Sequence, residues 1–274
     1  MFQSLPRPAH LVSILAALAL AGCDGTSSTK APVVRDGGGV MTASPGTLSN
    51  TPQAEFWVVE SEEAVGLELV SSSLLPDPNS TINYVQWFGE VRNTGSKAAC
   101  YVYATLDFRT AGGGRRVHAM KGMARAYPHV TSKTSTQIPC IPPGGTAGLY
   151  GNDIPAVPVR LEAIGQVEIY FDQSLFYPDA APSTSTPSVA GVTIVEDTKP
   201  GSWIATGTLT ATGAISGVAL TVFYKDGAGL ILDEGSASRA ETLNAGASWV
   251  FKTSAYVGER PSEVLLATDF KTGT

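Results

Sequence analysis

Apolar and polar residues alternate with a period of two along much of the chain beyond residue 54. Val85, Trp87, Gly89 and Val91 fall on one side, with Tyr84, Gln86 and Glu90 on the other. Cys100, Val102, Ala104, Leu106 and Phe108 form a second apolar side opposed by Tyr101, Tyr103, Thr105 and Asp107. Successive side chains of a strand point to opposite faces, so each pattern predicts a half-buried strand. Further strands are expected at 56–60, 65–70, 134–138, 146–150 and 167–172, and no amphipathic helix of useful length is legible. Many short strands punctuated by Gly and Pro predict an all-β chain built of antiparallel sandwiches.

Two breaks in composition divide the chain. From Asp24 to about Gln53 it is Gly, Ser, Thr, Pro and Ala with scattered charges, the composition of a flexible tether. Tyr177, Pro178 and the Pro/Ser/Thr-rich stretch after them read as a linker. The expected organisation is a leader at 1–22, a tether at 23–54, a first sandwich at 55–176, a linker at 177–187 and a second sandwich at 188–274.

The two sandwich segments look like copies of one pattern. Gly207–Gly213 lies over Gly89–Gly95 at an offset of 118, and Val218, Leu220, Val222 and Tyr224 fall over Cys100, Val102, Ala104 and Leu106. Valine at 218 then stands where the first copy has cysteine. An internal duplication is expected, with a disulfide in one copy only. The stretches GEVRNTGSKAACYVYATLDF and PPGGTAGLY, and their counterparts GTLTATGAISGVALTVFYKDGAG and LNAGASWVF, resemble the FxLYD-type, immunoglobulin-like domains of bacterial envelope proteins. The resemblance implies two tandem Ig-like sandwiches. Its motifs are turns and core positions, so it speaks to fold and not to chemistry.

The first residues carry a separate signal. A polar start containing Arg7 precedes an apolar run, Leu11–Ala21, too short to span a membrane and laid out like a secretory leader. It closes in Leu20, Ala21, Gly22 and Cys23, which resembles the lipobox of bacterial lipoproteins. The resemblance implies cleavage between Gly22 and Cys23, acylation of the Cys23 thiol, and a membrane anchor of more than one acyl chain. Asp24 resembles the inner-membrane retention signal of enteric lipoproteins.

Of three cysteines, Cys100 and Cys140 remain once Cys23 carries lipid, and in an exported protein they are expected to pair. The ring they close is worth roughly 4 kcal/mol by chain entropy. The formal charge of −6 with 15% charged residues argues against nucleic acid as the main partner.

Candidate chemistry is sparse. His118 and His129 lie eleven apart and form no metal or triad spacing. The 213–217 stretch, with Ser216 one place off, is not a nucleophile elbow, and Gly227 and Gly229 read as a hairpin turn. Asp77, Asn79 and Thr81 imitate a calcium loop that Ile82 and Phe88 spoil. One basic cluster, Arg115, Arg116, His118, Lys121 and Arg125, with His129 and Lys133 beyond it, reads either as a solvated hairpin rim or as a candidate partner surface for an anionic glycan, lipid headgroup or acidic protein. Trp57, Trp87, Trp203 and Trp249 could stack on sugars, although alternation puts Trp87 and Trp249 in cores.

The sequence therefore predicts a lipid-anchored lipoprotein of the cell envelope, on the inner or outer membrane and facing the periplasm or the cell surface. It is expected to be non-catalytic, to carry no metal or cofactor, and to act as a protein-interaction or scaffold module. A glycan- or peptidoglycan-binding module is the alternative, and an enzyme using Asp172 or Asp269 a distant third.

Overall fold

A computed structural model describes residues 33–34, 40–43, 48–49, 54–60, 66–76, 85–125, 127–131, 134–153, 161–173 and 181–272. The leader, Gly22, Cys23 and Asp24 lie outside the described residues, as do Lys133 and the side chains of His118, His129 and Asp172. The fold is all-β, and among the described residues the only helical elements are two short 3-10 turns at Ala111–Gly113 and Leu161–Ala163.

The strands are β1 (Val33–Val34), β2 (Val40–Ala43), β3 (Leu48–Ser49), β4 (Glu55–Glu60), β5 (Leu67–Pro76), β6 (Val85–Asn93), β7 (Ala99–Cys100), β8 (Val102–Arg109), β9 (Arg116–Arg125) and β10 (Tyr127–Thr131). They continue with β11 (Thr134–Ile141), β12 (Thr146–Asp153), β13 (Gln166–Gln173), β14 (Ala181–Pro182), β15 (Ser188–Glu196), β16 (Ser202–Thr210), β17 (Ile215–Lys225), β18 (Ile231–Arg239), β19 (Ser248–Tyr256) and β20 (Glu263–Thr272). Strands β1 to β3 fall inside the stretch expected as a tether. There β2 pairs with β4, and β3 runs parallel to β5. Backbone pairing of this kind asks for no apolar period, so composition did not reveal it.

Six strands pair identically in the two halves. In the first half β5–β6–β12 faces β9–β8–β13; in the second β15–β16–β19 faces β18–β17–β20. The first half adds β4 in parallel beside β13 and joins its two sheets where β9 meets β12. Inward residues close one core around Trp87, Leu106, Phe108 and Leu149, and another around Leu220, Tyr224, Phe251 and Phe270. Within the second core Tyr224 is held by its hydroxyl, which lies 2.8 Å from the Thr253 hydroxyl and accepts from the Ala205 N–H.

Backbone hydrogen bonds fix the equivalence residue by residue. The Asn93 N–H donates to Gly145 O as the Ala211 N–H donates to Ala247 O, and Gly144 donates to Asn93 as Gly246 donates to Ala211. Gly144 and Gly246 both turn the chain at positive φ, 72° and 79°, where a side chain would be strained. After that turn the offset drops from 118 to 116, because the first copy needs two more residues between Asn93 and Ala99 than the second needs between Ala211 and Ile215. The buried Asn93 amide holds this longer turn by donating to Lys97 O and Ile141 O and accepting from Gly95 N–H. The counterpart of Cys100 is therefore Ser216, not Val218.

The first half also carries an insertion. Strands β10 and β11 form a hairpin where the second half passes from Arg239 to Leu243 without one. Its root is pinned by the disulfide Cys100–Cys140, which joins directly opposed residues of β7 and β11. Its outer strand pairs with β14 of the expected linker, His129 opposite Pro182 and Val130 opposite Ala181.

Candidate interaction surface

Alternation in β6 sends Trp87 into the core and Phe88 and Glu90 outward, yet all three are buried. The cover is the second sandwich. Phe223 on β17, Ile231 on β18 and Leu265 on β20 pack against Phe88, Tyr150 on β12 and Leu75 on β5. Phe88 and Tyr150, opposed in register, stack with ring centroids 5.1 Å apart. Gly148 lies beneath the Phe223 ring, where a Cβ would stand 2.4 Å from a ring carbon. The Ser73 hydroxyl donates to Ile231 O across the seam.

Charges sit at the margins. Lys225 Nζ is 3.0 Å from Glu90 and 2.7 Å from Glu263. Burial pulls the Lys225 pKa down, but its hydrogen bonds to the Glu263 and Glu90 carboxylates outweigh that and hold it above the usual lysine value. Arg125 approaches Glu234 to 3.9 Å. Burial raises the Glu234 pKa, opposed by Arg125 and reinforced by Asp233. Each buried large apolar side chain is worth about 1.5–3 kcal/mol, whereas desolvation offsets much of the attraction in the buried Lys225–Glu90 pair and the more open Arg125–Glu234 pair contributes about 0–1 kcal/mol. The apolar centre therefore holds the seam.

The equivalent face of the first sandwich has a different chemistry. Asp107 stands opposite Glu168 as Phe223 stands opposite Leu265, and Arg109 opposite Arg116 as Lys225 opposite Ile231. Docking residues are thus replaced, position for position, by an ionic network. Glu168, fully buried, lies 2.9 Å from Arg109 Nε and accepts hydrogen bonds from Gln166 and the Tyr170 hydroxyl. Arg116 donates to Asp107 at 2.6 Å.

This arrangement divides the expected basic cluster. Arg116 is tied to Asp107 and Arg125 to Glu234, while Arg115 and Lys121 are exposed. The backbone of His118 stands opposite Phe108. The cause is β9, unforeseen in the sequence, which spreads these residues along one strand. Trp57 and Trp87 are buried, and Trp203 and Trp249 pack partly against the second core. Asp269 is exposed on β20. Among the described residues no group of three or more His, Cys, Asp or Glu could hold a metal, and no helix is long and apolar enough to cross a membrane.

The residues missed from sequence were Phe88, Gly148, Phe223 and Lys225. A signal was present: Trp87-Phe88 and Phe223-Tyr224 place large apolar side chains on both faces of one strand, which a half-buried strand does not need.

Fold and seam define a class, a two-copy all-β sandwich protein with its copies locked sheet face to sheet face. No family model and no curated protein matches the sequence. Among solved structures, an exo-chitosanase variant of Amycolatopsis orientalis complexed with PNP-β-D-glucosamine shares 14% identity over 73% of this chain and 26% of its own, at a TM-score of 0.22. Red sea bream transglutaminase shares 12% over 88% of this chain and 38% of its own, also at 0.22. The chain thus spans well under half the length of either neighbour.

Proposed function

We propose that the protein is a lipid-anchored lipoprotein of the bacterial cell envelope whose two sandwiches act together, without catalysis, as an interaction module. The observation that carries the reading is the seam. An apolar centre around Phe223 and Gly148 makes one body of two copies and leaves other sheet faces to meet partners. Support for the address comes from the leader ending in Leu20-Ala21-Gly22-Cys23 and from the bonded Cys100–Cys140 pair, which suits an oxidising compartment.

The test is fractionation of cells expressing the whole chain. Wild type is expected in the membrane fraction, shortened by the leader and heavier by its acyl chains, and Cys23→Ser is expected to be unprocessed by lipoprotein maturation and lost from that fraction. A Cys23→Ser variant equally membrane-bound at the same size overturns the anchor. Turnover in a broad hydrolase screen overturns the non-catalytic reading.

A further inference from the structure

Among the described residues one non-glycine residue holds a positive φ, Tyr101 at 49°. It is the single residue between β7 and β8, where the chain leaves the sheet of the β10–β11 hairpin and enters the main sheet of the first sandwich. The second copy makes the same turn with glycine. The counterpart of Tyr101 is Gly217, at φ 57°, and Ser216 and Thr242 stand where the first copy has Cys100 and Cys140. The Tyr101 N–H donates to Pro139 O at 2.9 Å, and the Gly217 N–H to Ala240 O at 3.4 Å. Left-handed backbone is open to glycine and strained for tyrosine. Strain of this kind persists only where the surrounding structure enforces it, and it gathers at switch regions.

The covalent bond beside Tyr101 is what enforces it. Strand β7 is two residues long and pairs with β11 at Ala99–Ile141 and Cys100–Cys140, so the disulfide closes the last rung before the turn. Tyr101 packs on both cysteines together with Ile138 and Ala98. We propose that Cys100–Cys140 is a reducible clasp, opened by a dithiol, whose opening lets the Tyr101 backbone relax and frees the β10–β11 hairpin from β7. This inference goes beyond the interaction-module reading and does not depend on the anchor.

In the opening step one thiolate of the dithiol attacks a cysteine sulfur and forms a mixed disulfide. The other cysteine leaves as a thiolate and takes up a proton. The second thiol of the reductant then attacks the first, so the reductant departs as its own disulfide, and two electrons and two protons end on Cys100 and Cys140. Both cysteines are buried, so attack follows a local opening of the hairpin, which sets the rate of exchange and not its equilibrium. The hairpin's outer strand pairs with the linker at Ala181 and Pro182, so the state of the clasp decides how firmly the linker is held. The seam is formed by other strands and keeps the two sandwiches together in both states.

The test equilibrates the purified full chain, in detergent, at increasing ratios of reduced to oxidised dithiothreitol, then alkylates free thiols and weighs the Cys100 and Cys140 peptides by mass spectrometry. Wild type is expected to become reduced at both cysteines while both cores stay folded, with cleavage by added protease confined to 177–187. Tyr101→Gly relaxes the turn while the bond is intact, so it is expected to need a ratio roughly 5- to 100-fold higher for half reduction. Tyr101→Ala removes the ring and keeps the strain, and its midpoint is expected not to rise. A Tyr101→Gly midpoint equal to or below that of wild type overturns the proposal, as does an equal rise in Tyr101→Ala. Wild type that stays oxidised until both cores melt overturns it as well. Because the readout is taken at Cys100 and Cys140, it is the same whether or not Cys23 carries lipid, and failure of the anchor is seen separately in the fractionation of Cys23→Ser.

Discussion

The ring of Phe223 occupies the space that any side chain at position 148 would need: a Cβ built on Gly148 comes within 2.4 Å of it. Glycine at 148 is therefore a condition of the seam and not of its own strand. Gly148→Val is expected to destabilise by about 1–3 kcal/mol, the usual cost of overpacking, and to open the linker to protease before either core melts. Phe223→Ala is expected to cost about 3–5 kcal/mol. Combining Phe223→Ala with Gly148→Ala should cost less than the sum of the two single changes, because the alanine methyl enters space the ring has left. Strict additivity in chemical denaturation would show that the two residues do not share that space.

The seam should also respond to alkali. Lys225 has a pKa above its ordinary 10.5 through its bonds to Glu263 and Glu90, against the opposing effect of burial. A group raised in the folded state contributes stability that is fully present below the unfolded value and is lost as pH climbs through the folded one. Wild type should therefore lose stability relative to Lys225→Met as pH rises above about 10.5, with no such divergence between pH 7 and 9. Thermal midpoints of both proteins across that range decide the matter.

What was legible in the sequence is what a single strand records. Period-two alternation marked β6, β8, β12 and β13 because each buries one face in its own core. The duplication was visible in its glycine turns, and Cys100 and Cys140 were paired by counting. Relations between strands were less legible. A single offset aligns Cys100 with Val218, but the turn held by Asn93 is two residues longer in the first copy and shifts the match to Ser216. Strand β9 is hard to see in the sequence because Arg116, Lys121 and Arg125 outnumber Met120 and Ala124, although the latter two are the buried side. The seam escaped because Phe88 and Phe223 face away from the cores they adjoin.

Arg109 and Arg116 look alike in sequence and should behave differently. Glu168 is fully buried with Arg109 Nε at 2.9 Å, so Arg109→Ala strands a charge without water. Breaking a buried pair from one side costs about 3–5 kcal/mol. Arg116 is half exposed where it meets Asp107, and its loss should change stability by no more than about 1 kcal/mol. Equal losses in urea unfolding would refute the distinction. Glu168→Gln in the Arg109→Ala background is expected to recover part of the loss, since it removes the stranded charge and keeps the shape.

The disulfide should act beyond its own ring. Cys100 and Cys140 bond β7 to β11, β11 carries β10, and β10 pairs with the linker at Ala181 and Pro182. A change at the root of this hairpin is therefore passed along a ladder of backbone hydrogen bonds to the segment joining the two sandwiches. Replacing both cysteines by serine should cost about 2–4 kcal/mol, the usual range for such a crosslink. It should also speed amide exchange in β10 before exchange rises in β16 or β17, because the second core has no covalent tie to the hairpin. Uniform acceleration through both sandwiches would mean that the bond stabilises the molecule only globally, and that the hairpin grips the linker equally well without it.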